Sequence, residues 1–170
     1  FRPKSFHRES PLSADDSPTV AVLPFVNRSG RRYAGELMAL HVVESMEMIG
    51  RCRPVELGKV RERLLASRLI MPAGASRDDS DVLFAETDID LIVSGKVLEY
   101  ADYTGPLGKA AVNFSVQVIA RDGNQVVWSS FSENDGGEGV RFFDIGRQRT
   151  AHGVASKMVY EIVDRLTQAR

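Results

Sequence analysis

The residues that could bind a ligand by their type and spacing lie in a turn, "NRSGRR", within the stretch "VAVLPFVNRSGRRYAG". A turn from a strand into a helix offers free backbone N–H groups, and these groups and arginine side chains favour an anion. A site for phosphate or a nucleotide would use Asn27, Ser29, Gly30, Arg31 and Arg32. The turn lacks the G-x-G-x-x-G and G-x-x-x-x-G-K-S/T patterns of nucleotide sites. Because Asn, Ser and Gly are also common in turns and helix caps, we mainly expect a structural connection.

The three histidines and the single cysteine do not form a pattern that predicts a metal site. His41 and His152 fall on or beside the apolar faces of two predicted helices, so we expect them in or near the core, while His7 lies in a polar N-terminal stretch. The metal-binding spacings H-x-x-x-H and H-E-x-x-H are missing. Cys52 lies between two arginines, which could lower its pKa, but no partner base is identifiable. We therefore predict no metal ion and no other cofactor.

Two further groups of charged residues could by their type bind calcium or transfer a proton. The loop "ENDGGEG" could hold calcium through Glu133, Asp135 and Glu138, but it lacks the ligand spacing of an EF-hand loop, and a flexible connection is favoured. Lys96 and Glu99 lie on a predicted strand, on opposite faces by parity, which makes them poor partners for proton transfer. A G-x-S-x-G nucleophile turn is also missing. The sequence therefore predicts a protein that is not an enzyme.

The overall composition narrows the possible partners. The chain has 170 residues, of which 43% are hydrophobic, which suits one globular domain. Its 22 basic and 23 acidic residues nearly cancel, so no net field attracts nucleic acid or an anionic membrane. The basic stretch "KVRERLLASR" is interpreted as a solvated helix face, and we predict no nucleic-acid partner. No apolar run approaches the roughly 18 residues of a membrane-spanning helix.

The first half of the chain alternates strands and helices. Residues 1–18 are polar and contain prolines, which predicts a flexible linker or arm, followed by a single αβ domain over 19–168. A β-branched run at 19–26 predicts a strand buried on both faces. Apolar residues at helical spacing predict a helix over 32–49 that Gly50 ends. A short extended piece, a second helix and a short helix over 79–86, capped by an Asp or Ser of "RDDSD", follow.

The second half changes to a period of two. The stretch "AVNFSVQVIA" alternates apolar residues with Asn113, Ser115 and Gln117, which predicts a strand with one apolar and one polar face. "DG" then predicts a tight hairpin to the next strand, and an apolar stripe predicts a closing helix. The order β-α-β-α-(α)-β-β-β-α predicts an α/β (α+β) fold of two layers. It would have a mixed β-sheet with helices mainly on one face.

Several stretches carry a family resemblance. "VAVLPFVNRSG" resembles the opening strand of the CsgG-like, TolB-amino-terminal-like group of bacterial envelope lipoproteins, which includes lipoprotein activators of penicillin-binding proteins. "LGKVRERLLASRLI", "DIDLIVSGKVLEY" and the closing "QVVWSSFSEND" are similar to later elements of such domains. The likeness spans about 20–166. It departs from the family pattern where Asp88, Ile89 and Asp90 replace the usual G-A-D.

The resemblance implies a periplasmic, non-enzymatic domain that is tethered to the outer membrane by an N-terminal lipid anchor outside this chain. Its partner would be another envelope protein, or a second copy through self-association. The connections at 102–109 and 122–124 are too short for membrane-spanning hairpins, whose strands need about 9–11 residues each. Candidate contact surfaces are the polar row Asn113, Ser115 and Gln117 and the loop at 133–139. The alternative is a small-ligand or anion-binding module that uses the 27–32 turn.

Overall fold

The computed structural model describes residues 5–8 (backbone only), 17–71, 74–102, 110–135 and 150–168. Their elements in chain order are β1 (Ser5–Arg8), β2 (Thr19–Val22), β3 (Val26–Asn27), α1 (Ala34–Ile49), β4 (Arg53–Pro54), α2 (Leu57–Ala66), α3 (Arg77–Glu86), β5 (Leu91–Ala101), β6 (Ala111–Ala120), β7 (Gln125–Asn134) and α4 (Ala151–Thr167). None of the helices in this part of the chain is long and apolar enough to cross a bilayer.

The strands of these described segments form one mixed sheet of seven strands. Its order is β1-β7-β6-β5-β2-β4, and β3 pairs with β5 beyond the end of β2. The strands β5, β6 and β7 form an antiparallel meander, whereas β2, β3 and β4 pair in parallel with their neighbours. The predicted α+β fold with a mixed sheet is therefore confirmed.

The two longer helices, α1 and α4, cover one face of the sheet. Their apolar residues recur at helical spacing and pack on alternate residues of the strands. The resulting core contains Met38, Val42 and Met46 from α1, Val154, Met158 and Ile162 from α4, and Val112, Phe114 and Trp128 from the meander. The helices α1 and α4 thus form the helical layer that the sequence predicts on one face of the sheet.

The two shorter helices, α2 and α3, lie against the other face and bury a second, smaller cluster. Val60 and Leu64 from α2 and Leu83 from α3 pack there with Ala21 and Ile92 of the sheet. The strand β2 thus contributes to both clusters, as predicted for a strand buried on both faces. The prediction that helices lie mainly on one face holds for the longer pair, α1 and α4, whereas α2 and α3 lie on the other face. The apolar stripe of α2 indicates a buried face but not which side of the sheet receives it.

The first predicted strand, 19–26, is divided in two at residues 23–25, where Phe25 packs over the sheet. The Phe25 ring lies against Gly95, where an added Cβ would come within 2.4 Å of the ring and 2.1 Å of the Ser115 carbonyl oxygen. A Cβ on Gly35 would lie 2.0 Å from the Phe25 carbonyl oxygen. The two glycines therefore provide the space in which this segment packs.

The N-terminal segment contributes a strand that the sequence did not predict. Ser5–Arg8 pair antiparallel with β7, in a register from Ser5 opposite Phe131 to Arg8 opposite Trp128. An edge strand pairs through its backbone, so a short polar segment forms one without an alternating apolar pattern. The division into an arm over 1–18 and a domain over 19–168 stays a prediction.

The start of α3 also differs from the prediction. The helix begins at Arg77, and its cap is Ser76, which lies outside "RDDSD". The backbone N–H of Asp79 donates to Ser76 Oγ at 3.2 Å, and the backbone N–H of Ser76 donates to Asp79 Oδ2 at 3.0 Å. This reciprocal pair is a capping box, in which the acidic residue occupies the third helical position rather than the cap itself.

Candidate contact surface

The polar row on β6 lies where the sequence predicts it, on one face of the central meander. Asn113, Ser115 and Gln117 alternate with the core residues of that strand and are half-buried. The opposing residues are Glu99, Lys96 and Ser94 on β5. Further along β6, Ile119 packs in the apolar cluster under α2 and α3.

Two charged side chains of β5 share this face, and a β-bulge places the second of them, Glu99, there. Lys96 pairs with Ser115 and Glu99 pairs with Asn113, and the register shifts between Val97 and Glu99. The predicted placement of Lys96 and Glu99 on opposite faces is wrong, because the extra residue of a bulge reverses the alternation. We call the five residues Lys96, Glu99, Asn113, Ser115 and Gln117 the polar sheet face.

The hydrogen bonds of the polar sheet face are only partly made within the described residues. Gln117 Nε2 donates to Ser94 Oγ at 2.9 Å. In contrast, Asn113 Oδ1 is buried and has no hydrogen-bond partner among the residues that the structure describes. A buried acceptor without a donor costs free energy. Lys96 and Glu99 are exposed beside it.

A cavity of about 340 Å³ adjoins the polar sheet face at Gln117. Its walls include Ile119 and Val126, together with Arg77 of α3 and Asn124 of the hairpin between β6 and β7. Asn124 Nδ2 donates to the Arg77 carbonyl oxygen at 2.9 Å, and Arg77 Nη2 donates to the Gly123 carbonyl oxygen at 3.1 Å. Sequence reasoning missed this cavity, because its residues come from segments that are distant in the chain and carry no shared motif.

The 27–32 turn satisfies most of its polar groups internally. Asn27 Oδ1 accepts from the backbone N–H of Ser29 at 3.0 Å and from Ser29 Oγ at 2.7 Å. Asn27 Nδ2 donates to the Arg31 carbonyl oxygen at 2.7 Å, and the Arg31 N–H donates to Ser29 Oγ at 3.3 Å. Gly30 and Arg32 are exposed. These bonds explain the turn as a connection, and anion binding there stays a prediction.

The guanidinium of Arg31 already faces a carboxylate. Arg31 Nη1 lies 3.4 Å from Asp102 Oδ2, at the end of β5. Asp102 Oδ1 in turn accepts from the backbone N–H of Ala151, the first residue of α4. A carboxylate at this position interacts favourably with the positive end of the helix dipole. Asp102 thus already pairs with Arg31 and accepts from the start of α4, a different helix from α1, into which the 27–32 turn leads.

The other residues considered for chemistry are dispersed. Burial raises the pKa of the Cys52 thiol, so the proposed lowering by neighbouring arginines is wrong. His41 is buried in α1, as predicted, and contacts the ring of His152 on α4. Glu133 and Asp135 lie at the end of β7, whereas Glu138 and the side chain of His7 lie outside the described residues. Within the described segments, no group of three His, Cys, Asp or Glu residues could hold a metal ion.

Comparisons with known proteins identify the fold and no closer relation. No protein-family model matches the chain, and no curated protein matches it. Among solved structures, the PelC dodecamer from Paraburkholderia phytofirmans is 15% identical, with a TM-score of 0.65, over 98% of this chain and 97% of that one. Lipoprotein GNA1162 from Neisseria meningitidis is 14% identical, with a TM-score of 0.56, over 89% of this chain and 98% of that one. The LpoB C-terminal domain from Salmonella enterica is 9% identical, with a TM-score of 0.54, over 70% of this chain and 83% of that one.

At these identities the likeness establishes the fold alone. The chain therefore has a fold that it shares with a bacterial lipoprotein and with a subunit of a dodecamer. The expected resemblance to envelope lipoprotein domains is supported at this level.

Proposed function

We propose that this chain is a non-enzymatic domain of a bacterial envelope lipoprotein that works by protein–protein contact, and that it associates with further copies of itself. The observation that carries the proposal is the fold shared with the PelC dodecamer over 98% of the chain. The described residues offer hydrogen-bonding surfaces but no group of three His, Cys, Asp or Glu residues that could hold a metal ion. Membership of the CsgG-like and TolB-like group is part of this proposal.

The location is a second part of the proposal. We propose a periplasmic domain that an N-terminal lipid, attached outside this chain, tethers to the outer membrane. The structural match to lipoprotein GNA1162, which covers 89% of this chain, supports this location. Metabolic labelling of the full-length protein with an alkyne fatty acid tests the anchor, and a protein that takes up no label contradicts it.

The polar sheet face is the surface that we assign to the contact. Its backbone is rigid, because β6 is paired on both sides, by β5 and by β7. The exposed Lys96 and Glu99 offer a partner charges of both signs, whereas the buried Asn113 Oδ1 becomes available only if its side chain turns outward on contact. Polar groups of this kind add specificity to an interface, because a wrong partner leaves them unsatisfied.

The symmetry of the assembly distinguishes two ways of using this face. If the face pairs with itself, the contact is isologous and the product is a dimer. If it meets a different surface of the next copy, the contact is heterologous and gives a ring where the rotation closes or an open filament where it does not. Native mass spectrometry of the wild-type protein therefore reports both the association and its type.

The decisive variant is Ser115→Arg, which places a long charged side chain at the centre of the polar sheet face. We expect it to shift the mass distribution to the monomer while the circular dichroism spectrum is unchanged. Ser156→Arg is the matched control, since Ser156 is also half-buried but lies on α4. A wild-type protein that stays monomeric at high concentration contradicts self-association. An assembly that survives Ser115→Arg contradicts the assigned surface.

A further inference from the structure

Two histidine rings meet where α1 and α4 pack together. The ring centroids of His41 and His152 are 4.5 Å apart, and the ring planes are inclined by 55°. His41 is 1% exposed, whereas His152 lies at the exposed side of the contact. The pair therefore joins the two helices that cover the main core, with one ring inside and one at the surface.

The buried ring lacks the partners that would stabilise a positive charge. Neither Nδ1 nor Nε2 of His41 has a hydrogen-bond partner among the described residues. The nearest carboxylate is that of Glu44, one turn along α1, with Oε2 3.6 Å from Nδ1. The Glu44 side chain is 53% exposed, so water screens its charge. From α4, the group that faces the ring is His152.

These surroundings favour the neutral form of His41. Burial lowers the pKa of His41 below its ordinary value of 6.5, and the like charge of His152 lowers it further. Glu44 acts in the opposite direction, as an opposite charge and as a hydrogen-bond acceptor, but these are the smaller effects. The 3.6 Å separation exceeds a normal hydrogen bond, so we treat Glu44 as an ion-pair partner rather than as a full acceptor.

We propose that the His41–His152 contact is an acid-sensitive link between α1 and α4, which holds while the buried ring is neutral and loosens when that ring is protonated. A proton on His41 has to be accommodated in an apolar interface beside a second imidazole. Protonation of both rings would place two like charges 4.5 Å apart at their centroids. The least costly response is separation of the helices, which lets water reach the ring.

The direction of the pH effect follows from proton linkage. His41 titrates near 6.5 in the unfolded chain and lower in the folded one, so the unfolded state binds more protons between these two values. Its contribution to stability is complete above about pH 6.5 and decreases as the pH falls towards the folded pKa. One proton changes the unfolding equilibrium constant by at most about tenfold per pH unit in this window.

The test compares denaturant unfolding of the wild type and His41→Phe from pH 5 to pH 8, at one protein concentration and with EDTA present. We expect the unfolding constant of the wild type to rise on acidification with a slope that His41→Phe lacks. The other titrating groups are common to both proteins, so the difference in slope reports His41 together with its coupling to His152. Equal slopes in the two proteins would overturn the proposal.

His152→Gln provides a second test that does not alter the buried position. The Hε1 resonance of His41 should titrate below pH 6.5 in the wild type. It should move to a higher midpoint in His152→Gln, because the like charge is removed. Amide exchange in α4 should accelerate across the same pH range in the wild type, beyond the change in intrinsic rate. A wild-type His41 resonance that titrates at 6.5 or above, or no shift of its midpoint in His152→Gln, would contradict the link.

Discussion

The 27–32 turn and the polar sheet face are both rich in side chains that form hydrogen bonds, but they differ in how many of those bonds are made inside the chain. In the turn, Asn27 alone takes part in three internal hydrogen bonds, and Arg31 faces Asp102. On the sheet face, the buried Asn113 Oδ1 has no partner among the described residues. Composition therefore does not distinguish these two regions, whereas the hydrogen-bonding state of their donors and acceptors does.

The comparison depends on a shared scaffold. The strand β3 leads into the turn and pairs with β5, and β5 pairs with β6, which carries the polar row. Phe25, which packs against Gly95 of β5, holds this junction. A change at the junction should therefore disturb both regions at once.

The largest effect is expected from Gly95→Ala. The added Cβ would lie 2.1 Å from the Ser115 carbonyl oxygen and 2.4 Å from the Phe25 ring, so backbone and ring both have to move. We expect a loss of about 3 kcal/mol in the free energy of unfolding, at the upper end for an overpacked core. Urea denaturation followed by circular dichroism measures it.

Gly58→Ala is the matched control for this substitution. Gly58 lies in α2, and its added Cβ would meet nothing closer than Glu56 Oε1 at 3.5 Å, an ordinary contact. Gly58 is exposed in the first turn of α2, where alanine meets no clash and reduces the conformational entropy of the unfolded chain, so this variant should be at least as stable as the wild type. Equal losses in both variants would mean that close packing at Gly95 is not the cause.

A smaller effect separates the two regions directly. Asn27→Ala removes two accepted bonds and one donated bond from the turn, and we expect it to cost about 1 kcal/mol. Asn113→Ala removes an acceptor that has no partner in the described structure, so its free energy of unfolding should change by less than about 0.5 kcal/mol or increase. The same denaturation experiment measures both.

The outcome of that pair bears on the proposed contact as well. In the monomer, Asn113→Ala should be silent, yet it should weaken self-association if the Asn113 side chain turns outward on contact and accepts from a partner. A large loss of monomer stability in Asn113→Ala would show that the amide is satisfied within the chain. The contrast with Asn27 would then disappear.

The regular elements were accessible from the sequence because their signals are local. The apolar stripes of α1 and α4 and the alternation of β6 predict elements that lie where expected. The bulge at Val97 was not accessible, since one inserted residue changes the face of Glu99 without changing the composition. The pairing of His41 with His152 was not accessible either, because helical spacing places each residue on its own helix and says nothing about which helices meet.

The smallest effect is expected for anion binding at the 27–32 turn, the function that the sequence left as an alternative. Arg31 already lies 3.4 Å from Asp102 Oδ2, and the Ser29 and Arg31 backbone N–H groups already donate within the turn. Phosphate at about 10 mM is ample to occupy a site of millimolar affinity. We therefore expect it to raise the melting temperature no more than sodium chloride of equal ionic strength does. A phosphate-specific rise that Arg31→Glu abolishes would contradict this and would show that an external anion displaces Asp102. Such a result would reverse the comparison, because the region with more internal hydrogen bonds, the 27–32 turn, would then be the ligand site.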